Sequence, residues 1–299
     1  MARAMVLCAG FGTRLRPLTD ELPKPLLPLG DRSLLEHALE LFAREGLGPR
    51  VVVNAHHLAE TFVRHVRQLP FEVDVVREPE IRGTAGGIAG ARALFDRAPV
   101  IVVNGDVLLD RIPPALVAVP EDSWLTLVVR PAARGAGTVG IGDDGRVVRL
   151  RGQTFGEERE SGDYVGLCAL GRPGLFALPE QGCLVQDFAL PLLRRGVRID
   201  TVPYAGTVAF PGDSLAGYLA ENLSWLERRG TQGAHLGAGA QVAPGISIER
   251  SVIGAGARVE GSGRLLRCVV WPGASARAPL ENTIVTTSGK RVRVEASAP

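Results

Sequence analysis

The chain has 299 residues, of which 45% are hydrophobic, and a formal net charge of +2. This length suggests about two domains, and a charge so close to zero, with no basic block, argues against a dedicated nucleic-acid binder. No apolar run approaches the length of a membrane-spanning helix and the N-terminus shows no signal-peptide pattern, so we expect a cytoplasmic protein with neither nucleic-acid nor membrane partners.

The first predicted element is a buried strand that opens into a glycine loop. The apolar run from Ala4 to Cys8 has the length of a strand and stops at Gly10. A strand followed by such a loop presents backbone N–H groups to an anion. Gly10 and Gly12 let the backbone approach a polyphosphate because no Cβ stands in the way. The sequence therefore predicts a phosphate site at this loop.

Two cations, Arg14 and Lys24, follow the glycines. The planar guanidinium of arginine suits bidentate phosphate contact, and lysine adds a second positive charge. Two common phosphate motifs do not fit. The dinucleotide fingerprint needs a glycine where Leu15 stands and an acid where Asn54 follows the next strand, and the Walker pattern needs a Gly-Lys-Ser/Thr that this loop lacks.

Strands and helices then alternate along the chain. Ser33 and Glu36 form a capping box at the start of a helix that ends at Gly46. Apolar spacing predicts strands at 51–53, 73–76, 100–103 and 124–129, and helices at 58–69, 88–95 and 214–226. This alternation predicts an α/β fold with a doubly wound, mainly parallel sheet.

Candidate binding residues follow two of these strands. Glu78 begins a segment that continues through Gly83 and Thr84 into a helix, and Asp106 ends an Asn-Gly-Asp run after the strand at 100–103. Ligands of doubly wound folds bind at the carboxyl ends of the strands, which makes Asp106 a candidate, whereas the Glu78 segment is a candidate only through the resemblance given below. The alternatives are a flexible helix start and an ordinary turn.

From Leu236 onward the chain is a repeat. Aliphatic or small residues recur at steps of five or six, and Gly239, Gly256 and Gly273 recur at intervals of 17. A hexad-based repeat predicts a parallel β-helix with stacked coils. We therefore predict domains at residues 1–229 and 236–299, joined by a linker near 228–235. With about three coils, the second domain is either a cap or an element through which the chain forms a homo-oligomer.

The cysteines are scattered, with no Cys-x-x-Cys pair and no histidine at ligand spacing. This pattern indicates reduced, mostly packed thiols, as expected in the cytosol. They are Cys8, Cys168, Cys183 and Cys268.

The segment from Cys8 to Pro28 resembles the sugar-1-phosphate nucleotidylyltransferases, or NDP-sugar pyrophosphorylases. Their signature, G-x-G-T-R-L-x-P-L-T followed by P-K-P, is intact at residues 10–19 and 23–25. The later G-T-A-G-G segment resembles that of mannose-1-phosphate guanylyltransferases and of some uridylyltransferases, and the C-terminal repeat resembles the left-handed β-helix of many such guanylyltransferases. The resemblance implies a Rossmann-like, GT-A-like nucleotidyltransferase domain followed by a short left-handed parallel β-helix.

The resemblance also implies a role for each candidate residue. Arg14 and Lys24 are the expected catalytic cations, and Asp106 is the expected ligand of Mg²⁺. The expected nucleotide-binding residues are Gly10, Gly12, Thr13, Glu78, Gly83 and Thr84, and the expected sugar-binding residues are Gly140 and Gly166. A carboxylate at Glu78 would accept both the N1–H and the amino group of guanine, whereas uracil offers it one N–H, which favours GTP.

Two departures from the family pattern fall in the second half of the predicted site. Relatives carry an aspartate as second Mg²⁺ ligand where Ala209 stands, and Asp213, four residues on, is interpreted as a helix cap. Relatives also carry a Glu-Lys pair for the sugar phosphate. Arg149 and Arg151 stand near that place, each either a replacement cation or a solvated charge, and Val165 replaces a smaller or hydroxyl-bearing residue.

The predicted reaction joins an NTP, with GTP favoured, to a sugar 1-phosphate, with mannose 1-phosphate favoured, and gives an NDP-sugar and pyrophosphate. Two alternatives stay open. One is a UTP-dependent uridylyltransferase, for example with N-acetylmuramate 1-phosphate as substrate. The other is a catalytically silent relative that binds nucleotide sugars and regulates a partner. A hexapeptide acyltransferase is disfavoured because the β-helices of that class are longer.

Overall fold

The computed structural model describes residues 3–47, 50–95, 99–230 and 233–295. By packing, the chain divides into unit 1, which contains Met1–Gly10 and Ala38–Val208, and unit 2, which contains Phe11–His37 and Ala209–Pro299. We call Phe11–His37 the signature arm. This division differs from the predicted domain boundaries because the arm packs with the C-terminal part of the chain. Residues 1–2 and 296–299 of the predicted domains, and 231–232 of the predicted linker, lie outside the described residues.

Strands outnumber helices in the described part of the chain. The strands are β1 (Arg3–Leu7), β2 (Pro28–Leu29), β3 (Arg32–Ser33), β4 (Arg50–Ala55), β5 (Glu72–Arg77), β6 (Val100–Asn104), β7 (Leu108–Leu109), β8 (Thr126–Ala132), β9 (Val139–Ile141), β10 (Val147–Leu150), β11 (Gln153–Thr154), β12 (Glu160–Leu170), β13 (Asp200–Pro203), β14 (Val208–Ala209), β15 (Ala234–Leu236), β16 (Gln241–Val242), β17 (Ile246–Glu249), β18 (Ser251–Ile253), β19 (Arg258–Leu266), β20 (Val269–Val270), β21 (Ser275–Glu281), β22 (Thr283–Val285) and β23 (Arg291–Arg293). The α-helices are α1 (Leu34–Arg44), α2 (Ala59–Val66), α3 (Gly83–Gly90), α4 (Pro114–Val117), α5 (Arg172–Ala177), α6 (Leu190–Arg194) and α7 (Leu215–Arg228).

Shorter helical turns complete the set. They are the 3-10 turns Thr13–Leu15, Leu18–Asp20, Lys24–Leu26 and Arg92–Leu94, and a π-helical turn at Leu184–Ala189 that leads into α6. No helix within the described ranges is both long enough and apolar enough to cross a membrane.

Unit 1 is built on one sheet with the strand order β11-β10-β9-β12-β6-β1-β4-β5. The four strands β6, β1, β4 and β5 are parallel, as predicted. Ala4, Met5 and Val6 of β1 have no exposed surface, as a strand covered on both faces requires. The other half is mostly antiparallel, because β12 pairs with β6, β8 and β9 in that sense, and β13 is added in parallel, to β8. The α/β prediction is therefore confirmed, with a mixed rather than mainly parallel sheet.

The helix starts show which local predictions hold. The capping box before α1 is confirmed, since Ser33 Oγ accepts from the Glu36 amide at 3.2 Å and Glu36 Oε2 accepts from the Ser33 amide at 2.8 Å. The helix predicted at 88–95 is wrong in its bounds, because α3 starts at Gly83 and ends at Gly90. The glycine segment is therefore itself helical and is not a loop before a helix.

The C-terminal part of unit 2 is a parallel β-helix. Its strands stack on three faces, formed by β15, β18, β20 and β22, by β16 with the first parts of β19 and β21, and by β17 with their last parts. Val252 pairs with Val269, 17 residues later, as the glycine repeat predicts. Val269 pairs with Ile284, only 15 residues later, so the last coil is shorter. Strand β23 folds back antiparallel onto β22 and closes the stack.

Candidate active site

Gly12 joins the two halves of the signature within unit 2. Its φ is +61°, and a Cβ there would lie 2.8 Å from Thr19 Cγ2 and 3.2 Å from Lys24 Cβ. The Thr19 hydroxyl donates to the carbonyl of Gly12 at 2.9 Å. A larger residue would need a rare backbone conformation and would push against both neighbours. The glycine therefore lets the loop with Thr13 and Arg14 pack directly on the segment with Lys24.

Arg14 is an exposed cation of this arm. It lies in the 3-10 turn Thr13–Leu15, and its NH1 donates to Asp213 Oδ1 at 2.9 Å, with 63% and 58% of the two side chains exposed. The interpretation of Asp213 as a helix cap is wrong, because α7 is capped by Ser214, whose Oγ accepts from the Gly217 amide. Asp213 instead pairs with Arg14, whose role as a phosphate-binding cation stays a prediction.

Asn54 is the centre of a buried hydrogen-bond network in unit 1. Its Oδ1 accepts from the amides of Cys8 at 2.7 Å and Ala9 at 3.3 Å, where β1 opens into the glycine loop. Its Nδ2 donates to Glu78 Oε1 at 2.7 Å. The other oxygen of Glu78 accepts from the amide of Arg82 at 3.1 Å. One side chain thus links the start of the glycine loop to the start of α3.

The carboxylate of Glu78 is therefore part of the framework. It is 5% exposed and both of its oxygens accept hydrogen bonds from the protein. Without this carboxylate, the donors that it accepts from would be left without a partner in a buried site, which is costly. Direct reading of guanine by Glu78 stays a prediction, and in this structure the side chain fixes the position of the loop that precedes Gly83.

The glycines of α3 are explained by close packing. Gly83 has φ +73° and a Cβ there would lie 2.5 Å from the Gly182 carbonyl oxygen, and a Cβ on Gly86 would lie 2.5 Å from the Glu180 carbonyl oxygen. A Cβ on Gly87 would lie 2.6 Å from Asn54 Nδ2. The helix therefore lies directly against the Asn54–Glu78 pair, which a side chain at Gly87 would displace.

Thr84 has a structural partner as well. Its Oγ1 accepts from the amide of Leu184 at 2.7 Å, and the Ala85 amide donates to the Gly182 carbonyl at 2.9 Å. Gly10, by contrast, faces open space, since a Cβ there would meet no atom within 4 Å. The nucleotide-binding roles of Thr84 and Gly10 stay predictions.

Asp106 lies beside the start of the glycine loop. It follows β6, and the Gly105 amide donates to the Leu7 carbonyl at 2.9 Å, which places the ends of β6 and β1 side by side. Burial, together with the negative charge of Asp106, raises the pKa of the Cys8 thiol. The carboxylate is thus close to residue 8 and half-buried at the carboxyl edge of the parallel strands.

A resident metal centre is not built into the described part of the chain. It contains no group of three or more His, Cys, Asp or Glu side chains that could hold a metal. Mg²⁺, however, usually keeps several waters and takes one or two carboxylates together with the phosphates of a substrate. Asp106 fits a magnesium ion that arrives with a nucleotide, and Ala209 adds no second carboxylate.

Gly140 lies under an ion pair on the antiparallel side of unit 1. Arg149 Nε donates to Glu158 Oε2 at 2.6 Å, and its NH2 donates to the Gly137 carbonyl and to Ser161 Oγ. The hydrogen bond from Arg149 lowers the pKa of Glu158. A Cβ on Gly140 would lie 2.4 Å from Glu158 Oε2. The Arg149 guanidinium is thus engaged by Glu158, Gly137 and Ser161, and its role as a sugar-phosphate cation stays a prediction.

Gly166 and Arg151 occupy special backbone positions. Gly166 has φ +78°, in the part of β12 where the register with β8 shifts, and a Cβ there would lie 2.9 Å from Asn104 Nδ2. Arg151 has φ +48° in the turn between β10 and β11 and is exposed. Whether Arg151 serves as a replacement cation or is a solvated charge stays open, and the sugar-binding role of Gly166 stays a prediction.

The predicted residues are distributed over both units. Unit 2 holds Gly12, Thr13, Arg14 and Lys24, and unit 1 holds Gly10, Glu78, Gly83, Thr84, Asp106, Gly140 and Gly166. Sequence reasoning missed Asn54, although its position directly after a buried strand was a usable signal. It also missed Asp213 as a partner of Arg14, for which a separation of 199 residues leaves no local signal.

Comparisons with known proteins agree with this geometry. Residues 3–151 match the family described as Nucleotidyl transferase. Mannose-1-phosphate guanylyltransferase catalytic subunit beta of Danio rerio is 35% identical over 114 residues, which cover 36% of this chain and 31% of that protein. Mannose-1-phosphate guanyltransferase of Schizosaccharomyces pombe is 37% identical over 114 residues, which again cover 36% of this chain and 31% of that protein. The chain thus spans about a third of the length of these curated relatives.

Solved structures show the fold over a longer range. The crystal structure of HddC from Yersinia pseudotuberculosis has a TM-score of 0.61 at 19% identity and covers 75% of this chain and 100% of that one. HddC complexed with GMP-PN has a TM-score of 0.60 at 19% identity and covers 77% of this chain. At such identity the likeness establishes the fold alone. Residues 3–151 therefore carry a Nucleotidyl transferase domain that is similar to that of the mannose-1-phosphate guanylyltransferases.

Proposed function

We propose that the protein transfers a nucleotidyl group from an NTP to a sugar 1-phosphate, with formation of an NDP-sugar and release of pyrophosphate. The observation that carries this proposal is the packing of Gly12 on Thr19 and Lys24. It brings both halves of an intact signature together and presents the Thr13–Leu15 turn with Arg14.

The reaction depends on the correct positioning of the two phosphate groups more than on a general base. An oxygen of the sugar phosphate attacks the α-phosphorus while the bond from that phosphorus to the bridging oxygen of pyrophosphate breaks. A phosphate monoester, with a second pKa of about 6, is largely ionised at neutral pH. The amides near Gly10 and Gly12 would hold the triphosphate, Lys24 the α-phosphate or sugar phosphate, and Arg14 the departing pyrophosphate.

Asp106 is our candidate for the metal-binding carboxylate. Magnesium, when bound, would neutralise part of the charge on the phosphates. The half-buried position of Asp106 beside residue 8 supports this assignment.

For the substrates we favour GTP and mannose 1-phosphate. The support comes from the two guanylyltransferase relatives and from the HddC structure with GMP-PN. Glu78 contributes by holding the loop before Gly83, and Gly140 and Gly166 are proposed to lie beside the sugar. We also propose a cytoplasmic location, which is supported by the free thiols of all four cysteines. Homo-oligomer formation through the β-helix stays a prediction that light scattering can test.

The proposal is tested by pyrophosphate release from purified protein with Mg²⁺, mannose 1-phosphate and each of GTP, UTP, dTTP, ATP and CTP. We expect release with GTP, and a loss of about 100-fold in Arg14→Ala because one charge-assisted phosphate contact disappears. Arg16→Ala is the matched control, since Arg16 lies in the same arm, is 57% exposed and pairs with Asp20. Equal losses in both variants would refute the role of Arg14.

A thermal-shift panel with the same nucleotides separates the alternatives, because a ligand that binds the native state raises the melting temperature. Stabilisation by UTP alone, with release from UTP, would identify a uridylyltransferase. Stabilisation by a nucleotide or nucleotide sugar without any pyrophosphate release would identify a silent binding protein. If no nucleotide stabilises the protein and none yields pyrophosphate, the proposed reaction class is refuted.

A further inference from the structure

The signature arm is fastened to the last coil of the β-helix through Glu21. Glu21 Oε1 accepts from Thr286 Oγ1 at 2.7 Å and from Ser288 Oγ at 2.6 Å. Its Oε2 accepts from the Ser288 amide at 3.3 Å. Thr286 and Ser288 lie in the turn between β22 and β23, so one carboxylate ties the arm to the end of the chain. We call these three residues the clamp.

The clamp is closed at neutral pH. Burial alone would raise the pKa of Glu21, but hydrogen bonds from Ser288 and Thr286 and the charge of Lys290 together lower it. A carboxylate whose pKa is lowered on folding stabilises the native state above the usual carboxyl range and loses that effect only as the pH falls through its folded pKa. The contact is therefore made by the charged carboxylate of Glu21 in the neutral pH range where the enzyme would work.

A second attachment lies at the other end of the same stretch. The Gly30 amide donates to Asn222 Oδ1 at 2.9 Å, and a Cβ on Gly30 would lie 2.1 Å from the ring of Trp225. Both partners belong to α7. The arm is thus held by α7 at residue 30 and by the last coil at residue 21.

A buried pair from the β-helix and α7 reinforces the attachment of the arm to α7. The hydroxyl of Tyr218 donates to the Pro28 carbonyl, and the indole N–H of Trp271 donates to that hydroxyl at 3.1 Å. Tyr218 and Trp271 are both fully buried. This chain of hydrogen bonds therefore runs from the β-helix through α7 to the arm, and the Trp271–Tyr218 bond within it is buried.

The functional cation Lys24 lies between these attachments. Residue 24 follows Glu21 by three positions, and it packs with Thr19 against Gly12. A shift of the arm at residue 21 would therefore move Lys24 and, through Gly12, the turn that carries Arg14.

We propose that Glu21 is a positioning residue for nucleotidyl transfer, through which the last coil of the β-helix holds the signature arm in its catalytic arrangement. The β-helix is then a working part of the catalytic apparatus rather than only a cap. This inference rests on the proposed function, since Arg14 and Lys24 matter here through their contacts with phosphates.

The test opens the clamp from each side. Glu21→Ala and Thr286→Ala/Ser288→Ala should each lower kcat/KM for GTP about tenfold, as expected for loss of partly exposed hydrogen bonds to a charged group. Most of the loss should fall on kcat, because displaced cations lose contacts in the transition state. The triple variant should be no worse than Glu21→Ala. Glu21→Gln keeps an acceptor for both hydroxyls and should stay within about threefold of the wild type.

Glu227→Gln is the matched control. Glu227 lies on α7 and accepts from Arg250 of the β-helix at 2.6 Å, so it joins the same parts of unit 2 without touching the arm. This variant should keep wild-type kinetics. Hydrogen exchange of peptides from residues 18–29 should rise in the clamp variants and stay unchanged in Glu227→Gln, while exchange at 251–270 stays unchanged in all of them.

Two results would overturn the proposal. One is faster exchange at 18–29 with unchanged kinetics, which would make the clamp irrelevant to the chemistry. The other is faster exchange throughout the β-helix, which would make Glu21 a general stability residue. If the wild type releases no pyrophosphate from any NTP, the proposed function fails by itself. The clamp is then judged by hydrogen exchange at residues 18–29, which must rise in Glu21→Ala, and by the affinity for GTP with Mg²⁺, which must fall in the same variant.

Discussion

The hydrogen bond from Asn54 to Glu78 can be tested by exchanging its two chemical groups. In Asn54→Asp the donor becomes an oxygen, so two carboxylates face each other where the bond measures 2.7 Å. In Asn54→Asp/Glu78→Gln the new amide donates to the new carboxylate, and its carbonyl oxygen still accepts from Arg82. The amide of Cys8 keeps its acceptor in both variants. The double variant therefore restores every hydrogen bond that the single variant breaks.

The size of the effect follows from the burial of the pair. Two unit charges about 4 Å apart repel by about 4 kcal/mol at an effective dielectric constant of about 20. We therefore expect Asn54→Asp to lower the free energy of unfolding by about 4 kcal/mol at neutral pH. Glu78→Gln alone leaves one amide hydrogen facing a donor and should cost about 1–3 kcal/mol. The double variant should lie within about 1 kcal/mol of the wild type.

Urea unfolding at neutral pH and at about pH 5 is the assay. Protonation of one carboxyl group supplies the missing donor, so folded Asn54→Asp binds a proton more tightly than the unfolded chain does. The loss in free energy of unfolding of Asn54→Asp is then greatest at neutral pH. It becomes smaller as the pH falls, by at most about 1.4 kcal/mol per pH unit. A deficit that does not change with pH, or that the double variant does not repair, would refute the pairing.

The same double variant tests what Glu78 does for the nucleotide. If Glu78 acts by holding the loop before α3, pyrophosphate release and preference for GTP return together with stability. That is the result we expect, because both oxygens of Glu78 are already used within the protein. Repaired stability with lost preference for GTP would instead show that the carboxylate reads the base.

Three further predictions concern single positions. Gly87→Ala should lower the free energy of unfolding by about 1–3 kcal/mol in urea titrations, since its Cβ would lie 2.6 Å from Asn54 Nδ2 and overpacking is costly; no loss would contradict the close packing of α3. Iodoacetamide at about pH 8 should label Cys183 first in peptide mass maps, because Cys183 is partly exposed while burial raises the pKa of Cys168 to about 12; earlier labelling of Cys168 would show that its site opens. Asp106→Asn should raise the Mg²⁺ concentration for half-maximal pyrophosphate release about tenfold or more; an unchanged requirement would remove Asp106 from the metal site.

The sequence predicted best what depends on local spacing. The strand before the glycine loop, the Ser33–Glu36 capping box and the 17-residue register of the coils were all confirmed. Each follows from residues that are close in sequence or from strict periodicity. The start of α3 was missed because glycine is a poor helix former, and its helical state is imposed by backbone atoms of residues 180 and 182.

Tertiary partners could not be predicted in the same way. The antiparallel half of the sheet depends on β12 reaching three different strands. The clamp joins residues that are 265 and 267 positions apart. No local pattern around Glu21 indicates its partners, because its hydrogen-bond donors come from a turn at the other end of the chain.

The two arginines near the predicted site show how burial decides which charge serves a ligand. An exposed ion pair such as Arg14–Asp213 contributes about 0–1 kcal/mol, so a phosphate can replace Asp213 at little cost. The Arg149–Glu158 pair is only 19% and 14% exposed, and Arg149 also donates to Gly137 and Ser161. Removing Arg149 from that site would leave Glu158 as an uncompensated, largely buried charge, which is costly. Arg14 is therefore accessible to an anionic ligand such as the proposed triphosphate, whereas Arg149 is held by its contacts with Glu158, Gly137 and Ser161.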